Sequence, residues 1–568
     1  ILAIKNLRKF MKKKQEHPKI IQDEIIKINY PLSILIVICI LVYIKSLNFG
    51  LTHLDDTIFI NDFHALFSDI KNLPHLFFRG VFFETSDSYY RPLLMVSFMY
   101  DKLLTGNLFA YHLTNLLFHI SSCILLYIFF IKLKIRSDIS FILALLFAVH
   151  PALSQAVVWI PGRNDSMLTT FALASFICII NYTTTRKWHT LFFHFLFLAL
   201  ALFTKESGII LPILIFGYFV LFAKQHIKYN VIVFLGWIAI GAIWFYMRSI
   251  SIEPMIKPTI SEYVELFISR LPLFIQYIGK SILPFNLSVF PMQADTTIYL
   301  GLISVILIGV LIFLNKTFDK KMVLFGLAWF VFFLTPAFFV PTAINEQAFE
   351  HRLYLPIIGL FIILSECVLF SKTRIPNQKI TFWSFMAVGI LFVVINYGHQ
   401  QKFKNEITFW ENAALDSPSS SYAHKMLGIK YFNKKTFDLS NKEIKRALEI
   451  DSTEKYVNFY YAKNLQQKNE KDPKLEYFLL QEEKNNPGFI DNVFELARVN
   501  FEKGDKVKAK YYLEECVRST PSFMIAKSNL LILLMENGEK QEALDYINQW
   551  KKDKTGVPKG LEEQVNKM

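Results

Sequence analysis

About eleven apolar runs recur over the first four hundred residues of this chain, parted by short polar stretches. They fall near 31–49, 109–131, 139–158, 166–182, 189–203, 208–223, 231–249, 298–315, 322–340, 354–370 and 380–397. A helix needs about 20 residues to cross the hydrocarbon core of a bilayer, and most runs approach that length. Hydrophobic residues make up 53% of the 568, with 56 phenylalanines, and charged residues only 19%. A soluble protein of this size cannot hide that much apolar surface, because the buried fraction saturates as domains grow. The pattern excludes a soluble enzyme, a disordered scaffold and a disulfide mini-protein. It predicts an all-α polytopic membrane helix bundle.

Charge placement orients the bundle. Residues 1–30 form a basic segment with eight Lys/Arg against three acids before the first run, which puts the N-terminus in the cytoplasm. No small-residue cleavage site follows that run, so it reads as a retained anchor. Basic connections at 132–136, 186–187, 224–228, 316–321 and 372–379 then alternate with loops at 50–108, 159–165, 204–207, 250–297 and 341–353, which are longer or richer in acids, histidine and aromatics. Stretches 92–105 and 263–283 carry charges and read as helices lying in or against the outer interface. The net charge of +14 is largely absorbed by these orienting loops, so nucleic acid is not an expected partner. The five cysteines show neither metal-ligand spacing nor a disulfide framework.

The apolar runs stop after Tyr397. Residues 398–568 repeat with a period near 34, placing Gly428, Ala462, Ala497 and Leu531 in one register and Ala509 and Ala543 in another. Turns at Gly504-Asp505 and Gly538-Glu539 precede the latter pair. This is the tetratricopeptide pattern of paired helices, in which small residues sit where two helices cross closely. The segment is expected to be an α-solenoid that binds peptide or protein.

The loops of one face carry the chemistry. Asp55 and Asp56 follow the first run, after His53. Adjacent carboxylates raise each other's proton affinity. The pair suits a general base or a divalent ion, and it equally suits capping of a following helix. Further along come Tyr90 and Arg91, His150, Arg163, Lys205 and Glu206, then His351, Arg352 and Tyr354. Singly, each fits an interfacial or snorkelling role. Together, Arg91, Arg163, Lys205 and Arg352 place four cations at the face of Asp55 and Asp56, where charge is costly unless it pairs or lines a wet cavity. Such a group suits a phosphate. No nucleotide-binding glycine motif occurs in a strand–helix setting, as expected if the donor is a lipid phosphate.

The chain resembles the tetratricopeptide-containing transmembrane O-mannosyltransferases and their bacterial relatives, within the GT-C glycosyltransferase superfamily. The resemblance runs from Pro31 onward. It rests on Leu54-Asp55-Asp56, Tyr90-Arg91-Pro92-Leu93, Tyr111-His112 with Asn115 and His119, and His150-Pro151 with Gly162-Arg163-Asn164-Asp165. Lys205-Glu206-Ser207-Gly208, Arg352-Leu353-Tyr354-Leu355-Pro356, Trp410 and Pro418 complete it. Pro161 departs from the Ala or Val usual before the Gly-Arg turn. The resemblance implies a GT-C-like domain over 31–397 with outer loops 50–108 and 250–297, followed by the repeats. It implies that Asp55 or Asp56 is the catalytic base and that the Arg and Lys positions lie near the donor phosphate.

The expected activity is inverting transfer of a sugar from a polyprenyl-phosphate carrier to a hydroxyl, Ser or Thr of an exported protein. The Lys-, Asn-, Ile- and Phe-heavy composition is that of a bacterium with an AT-rich genome, so a bacterial inner membrane is expected, and an odd number of spans puts the repeats on the periplasmic side. His53, Tyr90, His150, Glu206, His351 and Tyr354 are expected around the acceptor and sugar. The expectation names no definite cofactor and leaves a divalent metal open. The rival from another class is a non-catalytic membrane-anchored tetratricopeptide scaffold, which needs no acidic group facing a cavity.

Overall fold

The computed structural model describes residues 28–83, 88–225, 230–253, 258–342, 346–371, 378–469 and 472–567. Among them every regular element is a helix and none is a strand, as an all-α membrane protein with repeat-like helical packing requires. The basic segment 1–30 lies outside the described residues but for its last three. The chain divides into two compact units. One holds the residues up to Leu287 with Thr296–Lys404, and the other holds Ser288–Asp295 with Asn405–Met568.

Among the described residues of the first unit, six helices are long and apolar enough to cross a membrane: Pro31–Asn48, Leu108–Lys132, Ile160–Thr185, Val231–Ser251, Lys320–Phe339 and Lys379–Gln401. Ser137–Val149 and Pro151–Val158 make a seventh crossing if they act as one, bent by 55°. The break falls at His150, whose backbone is extended because a residue before proline is driven out of the helical region. Trp188–Thr204, Glu206–Phe222 and Tyr299–Phe313 are apolar but shorter. The run expected to span at 354–370 forms only the nine-residue helix Ile357–Ser365, almost wholly buried. Its end is tied off where the Glu366 carbonyl accepts from Asn315 and its carboxylate from the Asp319 backbone N–H. So the eleven apolar runs all reappear in helices, while fewer of them reach spanning length.

Close crossings hold these helices together where lipid supplies no hydrophobic drive. A Cβ on Gly326 would sit 2.5 Å from the carbonyl oxygen of Gly359, and one on Gly359 would sit 2.3 Å from that of Gly326. The expected interfacial stretches are helices Pro92–Leu104, Ile260–Ser269 and Pro272–Ile282, none of spanning length.

The second unit runs as helices from Glu406–Asp416 to Leu561–Lys567, each packed on its neighbour in the chain. At the first crossing a Cβ on Gly428 would meet Ile444 at 2.6 Å. Ala462 packs with Leu475 and Leu479, and Ala497 with Ala509 and Leu513. Gly504 and Gly538 take positive φ (82° and 75°) at the turns between helices. Segment Ser288–Asp295 belongs to this core: Phe290 stacks on Tyr422 and packs against Trp410, and its carbonyl accepts from the Ser417 hydroxyl.

Candidate active site

A cavity of about 270 Å³ in the first unit gathers side chains from six separated stretches of chain. Asp55 comes from the first loop, Ser88, Tyr89 and Arg91 from the entry to helix Pro92–Leu104, and Trp159, Asn164 and Asp165 from the start of the span Ile160–Thr185. Lys205 and Glu206 come from the break between two apolar helices, Phe333 to Val340 from the end of the span Lys320–Phe339, and Phe349, His351 and Arg352 from the turn beyond it. Each polar contributor sits where a helix begins or ends, so its position is set by the packing of the helices around it.

The two adjacent aspartates part company. Asp56 is buried, and its carboxylate accepts from the Thr52 N–H (2.7 Å), the Thr52 hydroxyl (2.9 Å) and the Leu54 N–H (3.2 Å). It stitches the loop through His53, which has φ of +57°. Asp55, the next residue around the helical turn, lines the cavity instead. Burial, then the Asp56 carboxylate, push Asp55 up to about 6, while Arg91 pulls the other way.

The remaining charges of the cavity are mostly paired. Arg91 Nε donates to Glu206 Oε2 at 3.0 Å, with the Tyr89 ring 4.4 Å below the guanidinium. The other Glu206 oxygen accepts from the Tyr90 N–H. Lys205 Nζ donates to Asp165 Oδ1 at 2.7 Å and to Asn164 Oδ1 at 3.2 Å. Of three acids and three bases lining the cavity, these two pairs leave Asp55 and Arg352. Among the described residues neither has an ion-pair partner. His351 packs against the rings of Phe349 and Trp159, which also stack on each other. Burial and then the neighbouring cations hold it well below the usual histidine range, so the imidazole is neutral and free to exchange hydrogen bonds with hydroxyls.

The expected residues are thus divided. Asp55, Arg91, Lys205, Glu206, His351 and Arg352 come together at the cavity. Asp56, His53, Tyr90, His150, Arg163 and Tyr354 are not among its lining residues. Arg163 is fully buried, in an ion pair with Asp101 (2.6 Å), and donates to Asn115 Oδ1, the Ser97 hydroxyl and the Tyr111 carbonyl. Its place beside Gly162 reflects packing, since a Cβ on Gly162 would meet the Gln155 carbonyl at 2.6 Å. His150 is engaged by the Ala152 N–H and the Ser281 carbonyl, Tyr354 by His119, and Tyr90 donates to the Phe77 carbonyl.

Asp165 and Trp159 were visible in the sequence only as neighbours of the Gly-Arg turn. A buried set behind the wall was not legible at all: Glu350 pairs with Lys280 (2.8 Å) and His399 (3.2 Å). Burial favours its neutral form, but Lys280 and the contact with His399 outweigh that and hold Glu350 at about 2. The Gln155 amide oxygen accepts from the Glu350 and His351 N–H groups, which fixes the turn that presents Arg352.

Comparison with curated proteins gives one consistent result. The chain is 34% identical to human protein O-mannosyl-transferase TMTC3 over 134 residues, which is 22% of this chain and 14% of that protein. It is 24% identical to the Caenorhabditis elegans protein O-mannosyl-transferase F38B6.6 over 368 residues, 62% of this chain and 52% of that one. It is also 36% identical to mouse protein O-mannosyl-transferase TMTC1 over 101 residues, 17% of this chain and 11% of the other. No protein-family model matches. The chain is therefore a relative of these proteins at modest identity, and its matches span about half their length or less.

Proposed function

We propose that this chain is a membrane glycosyltransferase that moves a sugar from a polyprenyl-phosphate donor to a hydroxyl of a protein. One observation carries the reading: after the cavity's internal ion pairs are closed, a carboxylate and a guanidinium remain, in the same water-accessible space. Asp55 accepts the proton of the acceptor hydroxyl. Arg352, flanked by Arg91 and Lys205, holds the phosphate and stabilises it as it departs. Attack on the face opposite the phosphate inverts the anomeric carbon. The apolar wall from Phe333 to Val340 suits the first isoprene units, and His351 suits sugar hydroxyls. The relatives' names support transfer to protein. The outer-leaflet donor, an exported acceptor and its recruitment by tetratricopeptide repeats in the C-terminal unit complete the proposal.

The test is transfer from a synthetic polyprenyl-phosphate sugar by the purified chain in detergent. Asp55→Asn is expected to lower turnover by roughly 10²–10⁴, the usual contribution of a general base. Arg352→Gln is expected to raise the donor KM as well. If both variants fold and keep activity within a few-fold, the assignment fails.

A further inference from the structure

The fold brings three donors of another kind together, away from the cavity. Cys39 lies in the span Pro31–Asn48, and His119 and Cys123 lie one turn apart on one face of the span Leu108–Lys132. All three are fully buried. Cys39 Sγ and Cys123 Sγ are 3.8 Å apart, Cys123 Sγ and His119 Nε2 are 3.8 Å apart, and one ligand atom from each residue lies within 4.8 Å of the other two. We propose that these residues bind one thiophilic cation, zinc(II) or copper(I), that clips the first spanning helix to the second.

The spacing fits. Two zinc–sulfur bonds of about 2.3 Å meeting at a tetrahedral angle put their sulfurs about 3.8 Å apart. Two soft sulfurs and an imidazole select zinc or copper(I) over hard cations. Two thiolates would also neutralise a divalent ion, so the loaded site would carry no net charge into the membrane interior. The outer partner is in place as well: His119 Nδ1 lies 2.6 Å from the Tyr354 hydroxyl, which fixes the ring with Nε2 on the side of the Cys123 sulfur. On binding, each thiol gives its proton to water, two protons are released, and Nε2 exchanges its contact with the Ala148 carbonyl (3.0 Å) for the metal. Tyr354 follows Arg352 by two residues, so the clip would also brace the turn behind the cavity.

The experiment is metal analysis of the full chain, purified in detergent without a metal-binding tag or chelator. The expected result is about one zinc or copper per chain, falling to about a tenth in Cys39→Ser and in Cys123→Ser and unchanged in Cys367→Ser. Wild-type protein without stoichiometric metal overturns the proposal whatever the variants do. So does a Cys39–Cys123 disulfide found by mass spectrometry of unreduced peptides, which would identify the pair as a redox cross-link.

Discussion

At the position of a single carboxylate, neighbours one residue apart have opposite fates. Asp55 lines the cavity while the Asp56 oxygens are taken by Thr52 and Leu54. A base near 6 works only when deprotonated, so kcat/KM should rise about tenfold per pH unit below that value and level off above it. Arg91 pulls Asp55 down, so Arg91→Gln should move this acid limb to higher pH, even as it weakens donor binding. A pH–rate profile of both proteins checks it, and a limb that stays put or moves down contradicts the assignment. The sequence showed which residues were candidates but not which way they faced. Arg163 looked like Arg91 and Arg352 on paper. Its burial depends on Asp101, sixty-two residues away, and no local pattern announces that pairing.

Helix ends and crossings explain what was legible at the next scale. Apolar length marks every helix of spanning length in the first unit, because hydropathy is local. It overstated the span at 354–370, because the stop there comes from Asn315 and Asp319 gripping Glu366, a contact between distant loops. The period near 34 was legible for the same local reason, since Gly428 must be small where Ile444 crosses it. The Asp101–Arg163 clamp ties helix Pro92–Leu104 to the span Ile160–Thr185, with both side chains fully excluded from solvent. Asp101→Asn would leave a guanidinium buried without its counter-charge, a loss of about 3–5 kcal/mol. It should appear as a lower unfolding midpoint in detergent titration, and a midpoint equal to wild type would mean that water or lipid headgroups reach Arg163.

Across the whole molecule, the sidedness that the charge pattern predicts has a direct readout. If the basic loops face the cytoplasm and the proposed crossings alternate, a cysteine introduced at an exposed site such as Val507 should react with a membrane-impermeant maleimide from the outer side of the membrane. Labelling only after the membrane is lysed would reverse the orientation and with it the access of an outer-leaflet donor. Connectivity between the units adds a constraint of its own. Because Ser288–Asp295 leaves one core to complete another and then returns, three peptide junctions join the two units rather than one. A fragment beginning at Asn405 would therefore expose the faces of Trp410 and Tyr422 that Phe290 covers. Exchanging everything from Asn405 onward for another domain in a single cut would therefore also require re-fitting the eight residues Ser288–Asp295, which lie upstream of that cut.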